Sequence, residues 1–306
     1  MHELVAIGNP VLDIIETPYV KTKERVLSGC STNAALAFSK LGGKSALIGK
    51  ANREDKRKIV ETLRKYGVKA HILPSRETGG FHLRYLDRRM NSRELSILGI
   101  ADTINIDEIE RDFLKANGYV IAPILREINA EFVKKLREEV GKNALIFVDP
   151  QGMIRTVKNG RVVRQPLEDA YLAVRYVDVF KPNEHEAETL FPRVPPQIVA
   201  RKITEMGCPV GIVTVAERGS YISYNGKTYF IPSYRTREKD PTGCGDVYIG
   251  AFAYEYLKTE DPLVSAAYAS AVASFMVESV GPGFKIGKRE VEERFQVVYE
   301  GVRRVL

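Results

Sequence analysis

Asp246 follows three small residues, Gly243, Cys244 and Gly245, and precedes an apolar helical pattern in KDPTGCGDVYIGAF, residues 239–252. Small residues give up packing, so their use at a helix start points to bare backbone as the working part. The first amides of a helix lack intrahelical partners, and the helix dipole there favours an anion. A carboxylate in the first turn repels a phosphate bound beside it. Its chemical use is to accept a proton from a hydroxyl attacking that phosphate. A plain helix cap is the bland alternative for a lone Asp.

Asn183 and Glu186 in KPNEHEAETLF (181–191) follow the strand-like run VDVFK. An amide and a carboxylate three apart at a helix start face the same way. Together they could hold a hydrated Mg²⁺ near donor phosphates, or close a capping box. Gln151 and Arg155 in DPQGMIR (149–155) stand at another strand end, where substrate groups gather. An Arg there would suit an acceptor that already carries a phosphate.

DPTGCGDVYIGAF resembles the C-terminal signature of the ribokinase-like (PfkB) family of carbohydrate and nucleoside kinases, Asp-Thr-x-Gly-Ala-Gly-Asp followed by a helix. Pro241 and Cys244 depart from that pattern. The resemblance implies that Asp246 is the catalytic base and that the amides of Gly243, Cys244 and Gly245 form an anion hole. Asn183 and Glu186 match its Asn-x-x-Glu, implying an Mg²⁺ site reached through water. VTVAERGSY (213–221) is similar to its Thr-x-Gly-x-x-Gly segment. Thr214 and Gly219 would then contact the donor, with Ala216 in place of the first Gly. VESVGPG (277–283) falls where the family borders the nucleotide base, which would place Gly281 and Gly283 there; a helix stop is the alternative.

The N-terminal half supplies the acceptor side of the resemblance. Gly29 and Asn33 in SGCSTNAALAFSKLGG (28–43) resemble Gly-Gly-x-x-x-Asn, with Ser28 replacing the first Gly. Asn9 and Asp13 lie in GNPVLD (8–13), and Asp13 aligns with the family's substrate-binding Asp. DPQGMIR resembles the corresponding stretch of archaeal inositol-kinase-like members, which implies acceptor contacts for Gln151 and Arg155. The implied reaction transfers a terminal phosphoryl group from a purine nucleotide, ATP or ADP, to a hydroxyl. The reading leans to a sugar or sugar phosphate, with a cyclitol such as myo-inositol or a nucleoside as alternatives. A non-catalytic sugar- or nucleotide-sensing module on the same fold is a second class of function. A dinucleotide-binding dehydrogenase ranks third, because the first turn lacks GxGxxG.

These groups must be held by a scaffold, and the chain reads as one. Strand-like runs LVAIG (4–8), SALIG (45–49), AHIL (70–73), YVIAPI (119–124), ALIFVD (144–149), VDVFK (177–181) and GIVTV (211–215) alternate with amphipathic stretches such as 53–67 and 129–141. That alternation predicts an α/β, three-layer ribokinase-like fold with a mostly parallel sheet, as one domain over residues 1–306. Residues 12–27 and 78–98 alternate like exposed strands and are expected to form a small β-lid, the second with its turn near Asn91-Ser92. Two ordinary surface hairpins are the alternative. The lid carries Arg84, Arg88, Arg89 and Arg93. Alternation aims only some at the site, and charge on an exposed edge also blocks aggregation. Lids pairing edge to edge would give a homodimer, by analogy with the family.

Composition narrows the partners. The 306 residues carry a net charge of +7, dispersed and without a basic block, so phosphates fit better than nucleic acid. The longest uncharged apolar run, Pro262 to Val277, is too short to cross a membrane. Three scattered cysteines make no disulfide framework and suggest a reducing cytoplasm. Many Lys, Arg and Glu with no Trp hint at a thermophilic source. Cys244, at a helix start, is expected to have a reactive thiol.

Overall fold

The computed structural model describes residues 2–19, 21–22, 24–87, 93–279 and 281–306, with the backbone alone at Arg93. The expected turn at Asn91-Ser92, together with Arg88 and Arg89, lies outside the described residues.

The chain enters through β1 (Leu4–Ile7) and leaves the core as β2 (Val11–Glu16) and β3 (Val26–Ser28). It returns through α1 (Cys30–Lys40), β4 (Ser45–Ala51), α2 (Arg53–Lys65) and β5 (Lys69–Pro74). A second excursion forms β6 (Gly80–Tyr85) and β7 (Arg93–Gly99). Then follow β8 (Gly118–Ile121), α3 (Ala130–Val140), β9 (Leu145–Val148), a third excursion of β10 (Arg155–Lys158) and β11 (Arg161–Arg164), and α4 (Glu168–Ala173). The C-terminal half runs β12 (Val179–Phe180), α5 (Glu184–Leu190), α6 (Pro196–Glu205), β13 (Val210–Thr214), β14 (Gly219–Tyr224) and β15 (Lys227–Pro232). It closes with α7 (Cys244–Thr259), α8 (Pro262–Val277), α9 (Lys288–Glu300) and β16 (Arg303–Arg304).

Among the described residues the main sheet has the order β16-β15-β14-β13-β12-β9-β8-β1-β4-β5. From β13 to β5 every pairing is parallel, so these strands all end on one edge. Both faces are covered, and adjacent residues serve opposite layers. Leu4 and Ala6 pack toward α1, α7 and α8, while Val5 and Ile7 pack toward α3 and α6. This is why the strands read as continuous apolar runs. The expected layered α/β architecture is present. Its strands shorten where the site begins: the run 119–124 stops pairing at Ile121, and 177–181 pairs only at Val179–Phe180.

α7 crosses α1 at very close range. A Cβ on Gly250 would sit 2.3 Å from the Ala34 carbonyl oxygen. Only glycine allows this approach. One helical turn before Gly250 stands Asp246, and next to Ala34 stands Asn33, so the contact brings the two halves of the chain together at those side chains.

The lid is a separate sheet of order β10-β11-β7-β6-β2-β3. It is larger than the two expected segments. The β10–β11 hairpin joins it, turning at Asn159 and Gly160 with φ of 51° and 72°. Two successive positive φ values suit a tight hairpin turn, and Asn-Gly is the favoured pair for it.

Candidate active site

Asp240 opens the central loop. Its Oδ1 accepts the Thr242 amide at 2.9 Å, folding the chain back in a short side-chain-capped turn. Gly243 then takes φ 84° and starts α7. The Cys244 amide is spent on the Pro241 carbonyl at 3.2 Å. The middle amide of the three expected to hold an anion is thus engaged within the loop. Asp246 follows in the first turn, with Lys181 Nζ 3.5 Å from where a Gly245 Cβ would lie.

Asn33 Nδ2 donates to Asp246 Oδ2 at 3.0 Å. Burial raises the Asp246 carboxyl above its ordinary value, and Asp149 adds to this, while the Asn33 bond, Lys181 and Cys30 oppose it. Behind Asp246 lies a buried ion pair: Lys181 Nζ is 2.8 Å from Asp149 Oδ2, both nearly inaccessible. Burial disfavours the Lys181 ammonium, but Asp149, Glu186 and Asp246 outweigh it and keep the charge. Removing either member of such a pair strands a buried charge, at a cost of about 3–5 kcal/mol.

Asn183 and Glu186 close on each other. Asn183 Oδ1 accepts the amides of His185 and Glu186 at 3.0 Å each, and Glu186 Oε2 accepts the Asn183 amide at 2.8 Å. The capping box is thus realised, and it occupies the Asn183 oxygen. Burial pushes the Glu186 carboxyl up to about 7, helped by Asp149. Among the described residues, no group of three or more His, Cys, Asp or Glu is arranged to hold a metal. A single carboxylate still fits Mg²⁺, which is held mainly by phosphates and waters.

The neighbouring loop contains a strained residue. Ala216 takes φ 49°, and Gly219 takes φ 122° with no room for a Cβ, which would lie 2.1 Å from the Ile231 oxygen. The backbone keeps a glycine-like conformation even where Ala216 replaces glycine. Thr214 ends β13 and bridges to Asn183. Gly281 packs on the lid, since its Cβ would meet Val26 Cγ1 at 2.6 Å, while a Cβ on Gly283 would find only Tyr66 Oη, 4.0 Å away.

On the acceptor side, Asp13 is buried and its Oδ1 accepts the Phe81 amide at 2.8 Å, binding β2 to β6. Gly29 caps α1 at φ 117°. Several residues expected to contact the acceptor have partners within the protein. Asn9 is consumed in scaffolding: Oδ1 accepts the Lys50 amide at 2.8 Å and Nδ2 donates to the Asp102 carbonyl at 3.0 Å. Arg84 is exposed on β6, whose buried residues Phe81, Leu83 and Tyr85 face the other way. Gln151 and Arg155 are buried and bonded to each other, and Arg155 also donates to the Ile124 carbonyl at 3.2 Å. Cys244 keeps partial exposure, but burial of its thiol, then Asp240 and Asp246, push its proton affinity well up, so the expected thiolate reactivity is not supported.

Lys181 and Glu127 were not singled out from sequence. Lys181 ends an apolar run and read as its boundary. Tyr85 Oη shares a 2.8 Å hydrogen bond with Thr242 Oγ1, joining the lid to the anion loop. Glu127, buried, accepts the amides of Asn9, Ile124 and Leu125 at 3.0, 2.8 and 2.7 Å. A cavity of about 860 Å³ opens at the lid root beside Arg76, Asp102, Arg126 and Asp169, and it is lined by none of the groups around Asp246.

Residues 1–289 match the family model described as pfkB family carbohydrate kinase. The chain belongs to this family. Among its pfkB relatives are the 2-dehydro-3-deoxygluconokinase of Thermoproteus tenax, 26% identical across 96% of this chain and 94% of that one. The nucleoside kinase of Methanothermobacter thermautotrophicus is 27% identical across 92% and 91%. A pyrophosphate-dependent kinase in the ribokinase family, solved with a pyrophosphate analog and myo-inositol, superposes with a TM-score of 0.81 at 25% identity, over 94% of this chain and 99% of that one. The ribokinase of Thermotoga maritima shares the fold at a TM-score of 0.76 and 19% identity, over 97% and 100%. As a pfkB member the chain is a phosphotransferase acting on a hydroxyl of a sugar-like or nucleoside acceptor. No helix among the described residues is long and apolar enough to cross a membrane.

Proposed function

We propose that this pfkB kinase phosphorylates a hydroxyl of an uncharged polyol, a free sugar or a cyclitol, with Asp246 as general base. The observation that carries the base assignment is the Asn33–Asp246 hydrogen bond at the start of α7, beside the Gly243 and Gly245 amides. It supports a proton acceptor standing beside a helix start, where unpartnered amides and the helix dipole favour an anion. The acceptor hydroxyl loses its proton to Asp246 as its oxygen attacks the terminal phosphorus. The Gly243 and Gly245 amides hold the phosphoryl oxygens. Thr214 and Gly219 flank the donor, and Asp13 receives hydroxyls of the acceptor. Mg²⁺, held near Glu186 through water, neutralises phosphate charge when bound.

Three cations among the described residues support the uncharged acceptor. Arg155 spends its guanidinium on Gln151 and Ile124, Arg84 points outward, and Lys181 is paired with Asp149. None of these three offers a free charge to a second phosphate. The inner side of the lid packs Val11, Ile15, Phe81 and Leu83 against Ile124 and Leu125, so the lid meets the body through apolar contacts. The myo-inositol complex of the pyrophosphate-dependent neighbour supports this class and keeps pyrophosphate beside ATP and ADP as a donor.

The test is a matrix of acceptors and donors. Myo-inositol and free pentoses or hexoses are set against their phosphates and nucleosides, each with ATP, ADP and pyrophosphate. Preference for a sugar phosphate would overturn the acceptor class. Asp246→Asn should lower turnover by about 10²–10⁴ while donor binding persists; full activity would remove Asp246 from its role.

A further inference from the structure

Three polar side chains lie behind Asp246 and face one another. Arg155 donates to Gln151 Oε1, and Gln151 Nε2 donates to Cys30 Sγ. All three residues are more than nine-tenths buried. The Cys30 thiol also acts on the Asp246 carboxyl, favouring its charged form.

The chemistry allows one direction through this series. A guanidinium can only donate, so the Gln151 oxygen must face Arg155. That aims the Gln151 amide N–H at sulfur, which accepts. The thiol proton is then left for Asp246, whose carboxylate accepts it. Asn33 holds the other side through Oδ2. The elements that place these groups are independent: Cys30 begins α1, Gln151 follows β9, and Arg155 begins β10 of the lid.

We infer that Arg155, Gln151 and Cys30 form a directed hydrogen-bond chain that positions the Asp246 carboxylate for proton acceptance, in place of acting as ligands of the acceptor. This rests on the reading of Asp246 as the base. The three are positioning residues, and they also connect the lid hairpin β10–β11 to the reacting centre. Other charged or titratable groups acting on Asp246 are Asp149 after β9, Lys181 after β12, and Cys244 in the loop. Burial and Asp149 favour its protonated form, whereas donors such as Cys30 favour the charged form. Losing the thiol donor therefore raises the proton affinity of the base.

The chain is tested by the pH dependence of kcat/KM in Cys30→Ala, Cys30→Ser, Gln151→Leu and the double variant Cys30→Ala/Gln151→Leu. Cys30→Ala should move the acid limb upward by about 0.5–1 pH unit, the size of one modest hydrogen bond. Its acceptor KM should stay within about twofold. Cys30→Ser keeps a donor and should restore the limb. Gln151→Leu should shift it in the same direction, and the double variant no further than Cys30→Ala alone. A higher acceptor KM in Gln151→Leu with an unmoved limb would make these residues acceptor ligands and overturn the chain. Additive shifts would also overturn it.

A readout without turnover separates this from failure of the kinase reading. The Asp246 ¹³C carboxyl titration in the apoprotein should show the same upward shift in Cys30→Ala, and an unchanged titration would refute the chain. If the wild type turns over no donor–acceptor pair while that shift appears, the function fails and the chain stands. Cys30→Ala is small enough to fold if Gln151→Leu does not.

Discussion

Tyr85 on the lid and Thr242 in the anion loop share a 2.8 Å hydrogen bond between their hydroxyls, both buried, across 157 residues of sequence. The lid is therefore latched onto the segment that starts α7. Closing a lid excludes water, which competes as a phosphoryl acceptor.

Tyr85→Phe removes this latch and keeps the ring. One buried hydrogen bond contributes about 1 kcal/mol, or roughly fivefold in an equilibrium. Acceptor kcat/KM should fall by about that factor, and donor hydrolysis without acceptor should rise. Unchanged hydrolysis and unchanged kcat/KM would mean that the latch has no part in closure.

Gly250→Ala forces a methyl group into the Ala34 carbonyl. Overpacking of this kind costs about 1–3 kcal/mol. Because Asn33 and Asp246 flank the contact, transfer activity should drop more than thermal stability alone accounts for at 25 °C. Calorimetry paired with turnover below the melting transition checks this; wild-type turnover would show that the helices can part without moving the base.

Ala216→Gly should stabilise the protein. Ala216 sits at φ 49°, in the left-handed region that disfavours a Cβ by about 1 kcal/mol. Relief of this strain should raise the melting temperature by a few degrees. A lower melting temperature would show that the loop gains more from the methyl group than it loses in backbone strain.

Lys40 gives a pH signature. Its ammonium donates to the Phe284 carbonyl at 2.7 Å and lies over the Tyr66 and Phe284 rings, yet burial lowers its pKa from 10.5 to about 8. The folded state releases this proton first, so between about pH 8 and 10.5 the unfolded chain binds more protons. The Lys40 contribution to stability therefore rises with pH through that window. Denaturant midpoints of wild type and Lys40→Met should diverge in slope there, with the rise missing in the variant. Parallel pH profiles would contradict the shift.

Much of the architecture was legible because burial on both faces leaves a plain sequence trace: β1, β4, β8, β9 and β13 are apolar runs of strand length. The start of α7 was legible because Gly243, Gly245 and Asp246 are adjacent in sequence. The β10–β11 hairpin escaped although RTVKNGRVVR carries its signal, an Asn-Gly pair between alternating residues. The outward turn of Arg84 is also a parity effect, since Phe81, Leu83 and Tyr85 occupy the inner positions. Lys181, Cys30 and Glu127 could not be read the same way. Each acts through partners distant in sequence, and a Lys after a strand or a Cys before a helix looks ordinary until Asp149, Asp246 and the Asn9 amide arrive beside it. Asn183 and Glu186 had two compatible readings, and the capping bonds are the ones their atoms make.

Glu127 carries one more consequence. It takes the amides of Ile124 and Leu125 and, from far away in sequence, that of Asn9. A single side chain at 127 thus ties the end of β1 to the segment after β8, and one substitution there would release three main-chain donors at once.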